Sequence, residues 1–322
     1  MDPILFGRDI ERTPETLREL ASVIRSTNPW ADLLAGFDAR RRLVLLGMGS
    51  SHFANCVLAA RLQAAGWNAF AVLASADPLP LVESQDVVIA VSASGGSVET
   101  IHAIGHYSGR CSTIAVTNTA DSKIEAACDA HVAMLAGPEV GGVACRSFAH
   151  TLGLHLALEQ AVTGGVDAPT VIETAADAIA DLLSRRDEWI EPLTSLLLGP
   201  DGTAFVAPAR RLSSAQQSAL MVREGPRLPA IACETGDWSH IDVYLTKTTD
   251  YRMVLFSGSA WEAQLLDWCR QRESTVVAVG GEADGAAYTL RYRHDDVDDV
   301  RLIAEPVIAE WLAHVVWAGV SP

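Results

Sequence analysis

Five short apolar runs between residues 42 and 135 constrain the fold more than any other feature: Arg42–Gly47, Ala69–Leu73, Asp86–Val91, Thr113–Thr117 and His131–Leu135. Stretches of helical character, Ser51 to about Ala65, Ser97 to Tyr107 and Ser122 to Cys128, fall among them. A run of this length, rich in aliphatic residues and bounded by Gly, is short for a buried helix and reads as a strand covered on both faces. Strands alternating with helices of about ten residues need crossover connections, which means a parallel sheet with helices on each side. The same order returns more loosely after Gly202, with strands at Thr203–Ala207, Ala230–Cys233, Met253–Ser257 and Thr275–Val279. Helices are expected at Ser213–Glu224, Trp261–Arg272 and about Arg301–Trp317. The predicted class is therefore α/β, with two doubly wound lobes of flavodoxin-like, three-layer type around parallel central sheets. The expected division is N-terminal helices over 1–40 packing on the first lobe, a first lobe at 41–165, a helical connection at 166–200 and a second lobe at 201–322.

Composition narrows the class of partner. The chain of 322 residues is 49% hydrophobic, long enough for about two cores and too apolar to be disordered. No run approaches the roughly 18 apolar residues of a membrane span, and MDPILFGRDI lacks the basic region and apolar run of a signal peptide. The six cysteines form no CxxC pair, as expected of reduced packing residues in a cytoplasmic protein. Lys and Arg total 24 against 40 Asp and Glu, a net charge of -16, and only Lys123 and Lys247 are lysines. Nucleic acid is not an expected partner, because a polyanion would meet net repulsion. An anionic small molecule needs local donors that outweigh this field. No cofactor is implied. His102 and His106 are four apart on the helix expected over Ser97–Tyr107, but no third ligand stands at a recognisable spacing, so no metal is expected.

Local donors are concentrated at two strand ends. Gly47-Met48-Gly49-Ser50-Ser51 follows one strand and Ser92-Ala93-Ser94-Gly95-Gly96-Ser97 follows another, and each opens a helix. Ligands of parallel α/β sheets bind beyond the carboxyl ends of the strands. Glycine lets the backbone approach a ligand, free amides at a helix start favour an anion, and serine hydroxyls add neutral donors. One such turn reads equally well as a helix cap; two point to a phosphate cradle. The spacing matches neither GxxxxGK[ST], GxGxxG nor GxSxG, which argues against a nucleotide P-loop, a dinucleotide site and a hydrolase elbow. The acidic run Asp295, Asp296, Asp298 and Asp299 reads as a hydrated loop. Asp237, His240 and Asp242 are placed to orient one another, with Trp238 offering a flat surface for a sugar.

Beyond these local readings, Ser92-Ala93-Ser94-Gly95-Gly96-Ser97-Val98-Glu99-Thr100 resembles the SxSGxTxxT signature of sugar-isomerase (SIS) domains. Gly49-Ser50-Ser51 is similar to the first Gly-Thr/Ser-Ser turn of that family, and Thr117-Asn118 with Asp121-Ser122 and Asp129 resembles its TN…S…D stretch. Ala136-Gly137-Pro138-Glu139-Val140-Gly141, followed by Arg146-Ser147-Phe148, is similar to the AGxE…[ST]K.F segment in the isomerase half of glucosamine-6-phosphate synthases. The likeness runs from about Arg40 to the end, more weakly in the second lobe. It implies tandem SIS domains, usually dimeric, that bind phosphorylated sugars and often interconvert aldose and ketose forms.

By position, the resemblance assigns the phosphate to Ser51, Ser92, Ser94 and Ser97, assisted by the backbone of Ala93 and Gly95. Gly49, Ser50, Gly142, Ala144 and Asp237 complete the candidate substrate-binding set. It also implies a catalytic pair, Glu224 moving a proton between C1 and C2 and, sixteen residues on, His240 opening the sugar ring, with the imidazole supplied by a neighbouring subunit. On residue type alone, Glu224 reads equally as a helix-end carboxylate and His240 as a hydrogen-bonded loop residue. Three departures stand out. Met221 replaces the family's helix lysine, His240-Ile241-Asp242 replaces His-Gly-Pro, and no lysine follows Lys247, so Schiff-base assistance is not expected. Asp2 follows Met1 where a glutamine-splitting domain has a cysteine, so glutamine-dependent amination is not expected either. The function expected is isomerisation of a hexose phosphate or deamination of an amino-sugar phosphate; the alternative is a non-catalytic sugar-phosphate binding or sensing protein.

Overall fold

The computed structural model describes residues 1–319, so the expected lobe end at 320–322 lies outside the described residues. Three helices, α1 (Pro3–Glu11), α2 (Thr13–Ser26) and α3 (Trp30–Leu33), precede the first sheet. That sheet is built from β1 (Leu43–Gly47), α4 (Ser50–Ala64), β2 (Ala69–Leu73), β3 (Val87–Val91), α5 (Val98–Tyr107), β4 (Ser112–Thr117), α6 (Lys123–Ala127) and β5 (Ala130–Ala133). All its pairings are parallel, in the order β2-β1-β3-β4-β5. Strands β1 and β3 are buried at every residue, the reason their sequences are unbroken aliphatic runs, whereas the edge strands β2 and β5 are partly exposed. Helices α7 (Arg146–Thr163), α8 (Ala168–Ser184) and α9 (Arg186–Leu197) follow, with breaks at Gly164-Gly165 and Arg185.

The second sheet repeats the plan with β6 (Thr203–Ala207), α10 (Leu212–Glu224), β7 (Ala230–Glu234), β8 (Arg252–Phe256), α11 (Glu262–Gln271), β9 (Thr275–Val279) and β10 (Tyr288–Leu290). Its order, β10-β9-β8-β6-β7, is the first order renumbered, and it too is parallel throughout. The three-residue β10 is too short to show a period in the sequence. The single helix expected over 301–317 is two, α12 (Asp298–Ala304) and α13 (Pro306–Ala318). Pro306 has no amide hydrogen and starts a new helix at the position proline favours.

Two compact units result. One holds the first sheet and comprises Glu15–Glu139 and Arg146–Glu173; the other holds Met1–Pro14, Val140–Cys145 and the chain from Thr174 onward. The expected block 1–40 is thus divided, and α1 belongs with the second sheet. A methyl group on Gly7 of α1 would lie 2.6 Å from the His314 ring of α13, so only glycine permits this approach. In the first-sheet unit, α4 and α7 are joined by Arg61 and Glu159 at 2.5 Å, and the buried Trp30 indole donates to the Leu154 carbonyl at 2.8 Å.

Candidate functional site

Register decides where the two serine turns meet. Leu43 pairs with Val87 and Leu46 with Ala90, so β1 and β3 are adjacent and end level with one another. The chain runs from β1 outward to β2 and then returns to the far side of β1 as β3, which makes the β1/β3 ends the topological switch point of this sheet. Gly49-Ser50-Ser51 and Ser92–Ser97 therefore leave the same edge side by side. Gly47 serves the close approach of β1 to α4, since a methyl group there would lie 2.9 Å from the Ser51 Cβ.

The four serines are not equivalent. Ser97 is the N-cap of α5, accepting from the Thr100 amide at 3.3 Å and the Thr100 hydroxyl at 2.9 Å while donating to Glu99 at 3.1 Å. Ser94 accepts from the Gly96 amide at 3.3 Å. The capping reading thus holds for these two. Among the described residues, no group bonds to the hydroxyl of Ser51 or of Ser92, although Ser92 is 6% exposed. The amides of Ala93 and Ser94 likewise donate to no described residue. Neither turn carries a Lys or Arg. Burial pushes the His52 imidazole, next to Ser51, below its ordinary range, so it is neutral at pH 7. An anion here would be held by hydroxyls, amides and the two helix starts rather than by a cation.

A scaffold beneath the Ser92–Ser97 turn had no assigned role in the sequence reading. The Asn118 amide donates to the Ala93 carbonyl at 3.0 Å, as do the hydroxyls of Thr117 and Thr119, each at 3.3 Å. The Asn118 side chain donates to Gly137 at 2.7 Å and accepts from Ala136 at 3.0 Å, tying the turn to the segment after β5. Gly95 is at φ +63°, and a methyl group on it would overlap both Cβ and Oγ of Ser122. Thr117, Asn118 and Ser122 belong to the TN…S…D stretch singled out in the sequence, and the hydrogen bonds supply the role that the motif left open.

Gly142, Ala144, Glu224, Asp237 and His240 belong to the other unit. Gly142 is at φ +76°, and the Ala144 carbonyl accepts from Gln217 at 3.1 Å. Glu224 is the last residue of α10 and half-buried. His240 is exposed and follows the turn Asp237–Ser239, its amide donating to the Asp237 carbonyl at 2.8 Å. Helix α10 leaves the carboxyl end of β6 and returns to the start of β7, whereas His240 lies beyond the end of β7. The two side chains of one chain are therefore at opposite edges of the sheet, about 16 Å of strand apart for the five residues of β7.

Other expectations change on burial. Trp238 is fully buried, donating through its indole to the Tyr251 hydroxyl at 2.8 Å, and cannot stack on a sugar. That hydroxyl donates in turn to Asp242 at 2.9 Å, so Asp242 does not orient His240. Burial pushes the Asp242 carboxyl upward. The acidic run is not a hydrated loop, because Asp295 pairs with Arg291 at 2.6 Å and Asp298 with Arg210 at 2.5 Å. His102 and His106 line a cavity of about 690 Å³ with Asp77, Val98 and Glu99. Among the described residues no group of three or more His, Cys, Asp or Glu could hold a metal ion.

Residues 37–160 match the family described as SIS domain. A glutamine–fructose-6-phosphate aminotransferase [isomerizing] of Aeropyrum pernix is 29% identical over 295 residues, covering 84% of this chain and 45% of that protein. The chain thus spans less than half the length of that relative. The C-terminal domain of glucosamine-fructose-6-phosphate aminotransferase from Francisella tularensis superposes with a TM-score of 0.80 at 15% identity, covering 98% of this chain and 96% of the other. Tagatose-6-phosphate ketose/aldose isomerase from Escherichia coli gives 0.81 at 16% identity, covering 98% and 92%. At such identities the likeness is one of fold. Both serine turns lie within residues 37–160, the part of the chain that matches the family described as SIS domain.

Proposed function

We propose that the protein is a phosphosugar isomerase, or a deaminase of amino-sugar phosphates, whose substrate phosphate is held by Ser51, Ser92, Ser94, Ser97 and the amides of Ala93 and Gly95. Two serine turns level at the switch point of a parallel sheet, with the hydroxyls of Ser51 and Ser92 and the amide of Ala93 bonded to no described residue, carry this reading, while Ser94, Ser97 and the Gly95 amide also bond within the turn. Gly49, Ser50, Gly142, Ala144 and Asp237 complete the substrate-binding set. The names of the relative and of the structures similar to it, an aminotransferase [isomerizing] and a ketose/aldose isomerase, support hexose phosphate chemistry.

Glu224 then shuttles a proton between C1 and C2, and His240 is the acid–base group that opens the ring. Because these residues occupy opposite edges of one sheet, His240 reaches a Glu224 only from a second copy, and the proposed enzyme is a homodimer with shared sites. A reducing, cytoplasmic setting goes with six cysteines that form no disulfide. Among the described residues no helix is long and apolar enough to cross a membrane.

The test is turnover of phosphorylated hexoses, amino-hexoses and pentoses, with unphosphorylated sugars as controls. Conversion of a phosphorylated sugar that Glu224→Gln abolishes is the expected result. Stabilisation by such sugars without turnover would leave a binding or sensing protein, and equal stabilisation by unphosphorylated sugars would remove the cradle.

A further inference from the structure

A hydroxyl group has one proton to donate and two lone pairs to accept with, and in Ser97 all three are in use. Its oxygen accepts from the Thr100 amide at 3.3 Å and from the Thr100 hydroxyl at 2.9 Å, and its proton goes to the Glu99 carboxylate at 3.1 Å. The last bond fixes the direction, because a carboxylate only accepts. The other serines of the cradle differ. Ser94 accepts from the Gly96 amide and gives its proton to no described residue, and the hydroxyls of Ser51 and Ser92 bond to none. An ionised phosphate oxygen is an acceptor as well, so the one proton it could take from Ser97 is the proton that Glu99 holds.

Glu99 has room to let go. It is exposed, in the first turn of α5, and lines the cavity of about 690 Å³ with Asp77, Val98, His102 and His106. Among the described residues the Ser97 hydroxyl is its one side-chain hydrogen-bond partner, and no ion pair holds it elsewhere. The frame of that cavity is tied down. The Tyr107 hydroxyl donates to the Pro80 carbonyl at 2.9 Å, joining the loop after β2 to α5, and the Ala74 amide donates to Gly47 at 3.2 Å. A rotamer change of Glu99 is therefore enough to carry the carboxylate off Ser97 and into the cavity. The helix start survives it, since Ser97 keeps both bonds from Thr100.

We propose that Glu99 is a positioning residue of the phosphate cradle, holding the Ser97 proton in the free protein and releasing it to the phosphate by turning into the cavity. This rests on reading the Ser92–Ser97 turn as the cradle, and it adds a competitor to that site. Phosphate gains the Ser97 proton by breaking an existing bond, so this hydroxyl adds less to affinity than those of Ser51, Ser92 and Ser94. Glu99 also sets a negative charge beside a site that has no Lys or Arg in either turn. Charge and hydrogen bond are separable, because a carboxamide keeps the acceptor and loses the charge.

Calorimetric titration of the whole protein with inorganic phosphate tests this. E99A frees the proton and is expected to bind phosphate about 3- to 10-fold more tightly, the worth of one hydrogen bond that no longer has to be broken. E99Q keeps an acceptor on Ser97 and is expected to stay within about twofold of the wild type. S97G retains a residue that suits a helix start, and in that background E99A is expected to change affinity less than about twofold. A structural effect of losing Glu99 would not depend on the Ser97 hydroxyl. An E99A no tighter than the wild type overturns the proposal. So does an E99Q that gains as much as E99A, since the effect would then be one of charge, or a gain from E99A that persists on S97G. Should S97G fail to fold by circular dichroism, the comparison of E99A with E99Q carries the test. Failure of the cradle is recognised separately, as phosphate binding that S51A/S92A leaves unchanged, and the proposal falls with it. Binding that S51A/S92A weakens and E99A does not tighten overturns the proposal alone.

Discussion

Gly95→Ala tests whether contact with Ser122 sets the shape of the serine turn. Gly95 is at φ +63°, which costs a residue with a Cβ about 1–2 kcal/mol. The added methyl would also overlap the Cβ and Oγ of Ser122 and lie 3.0 Å from the Thr117 hydroxyl. Forcing a carbon into packed surroundings costs about 1–3 kcal/mol, because the neighbours must move. The sum, about 2–5 kcal/mol, is comparable with the lower end of a domain's whole stability. It is most easily relieved by shifting the turn, since Ser122 directly precedes α6 and Thr117 closes β4. If about 2–3 kcal/mol must be supplied to restore the binding shape, the dissociation constant for a phosphorylated hexose rises about 30- to 150-fold. Urea denaturation gives the stability change and calorimetric titration the affinity. Gly95→Ala with Ser122→Gly removes the overlap but not the φ cost, so most of the lost affinity is expected to return. An unchanged affinity in Gly95→Ala, or no recovery in the double variant, would refute the idea that this contact shapes the cradle.

Two further outcomes follow from buried polar groups. His150 is fully buried, between the Met134 carbonyl at 2.8 Å and the Thr16 hydroxyl at 3.0 Å, and burial holds its imidazole down to about 4. The folded state thus favours the neutral ring, so stability is full above the unfolded value near 6.5 and is lost as pH falls from there towards 4. At pH 5 the loss from His150 is about 2 kcal/mol, read from urea denaturation at pH 7.5 and 5. His150→Gln should remove that part of the slope, and an unchanged slope would contradict it. Asn118→Ala leaves the Gly137 carbonyl and the buried Ala136 amide without partners and should lower stability by about 2–4 kcal/mol. A loss below about 0.5 kcal/mol by the same measurement would mean that Asn118 does not hold the turn to the segment after β5.

The legible parts of the fold share one property. Leu43–Gly47 and Val87–Val91 are central parallel strands, so every side chain is buried and composition alone marks them. The glycines and serines after them were equally visible, because a close turn and a helix start limit which residues fit. Trp238 was misjudged for the opposite reason. An indole suits a core, with one polar tip to satisfy, as well as it suits a sugar, and only the bond to Tyr251 separates the two. The acidic run is read as a loop for a related reason: Arg291 stands four residues before Asp295, but the partners of Asp298, Arg210 and Arg211, lie 88 and 87 residues away after β6, where no local pattern announces them.

Local chemistry therefore determined the elements: unbroken aliphatic runs for inner strands, Gly and Ser for the turns, and Pro306 for the start of α13. Tertiary structure decided the neighbours. Strand order put residues 47–51 beside residues 92–97 and set Glu224 and His240 at opposite edges of one sheet. The physical reason is that side-chain period and backbone preference act over a few residues, whereas a site is assembled by register and burial between segments that the sequence keeps far apart.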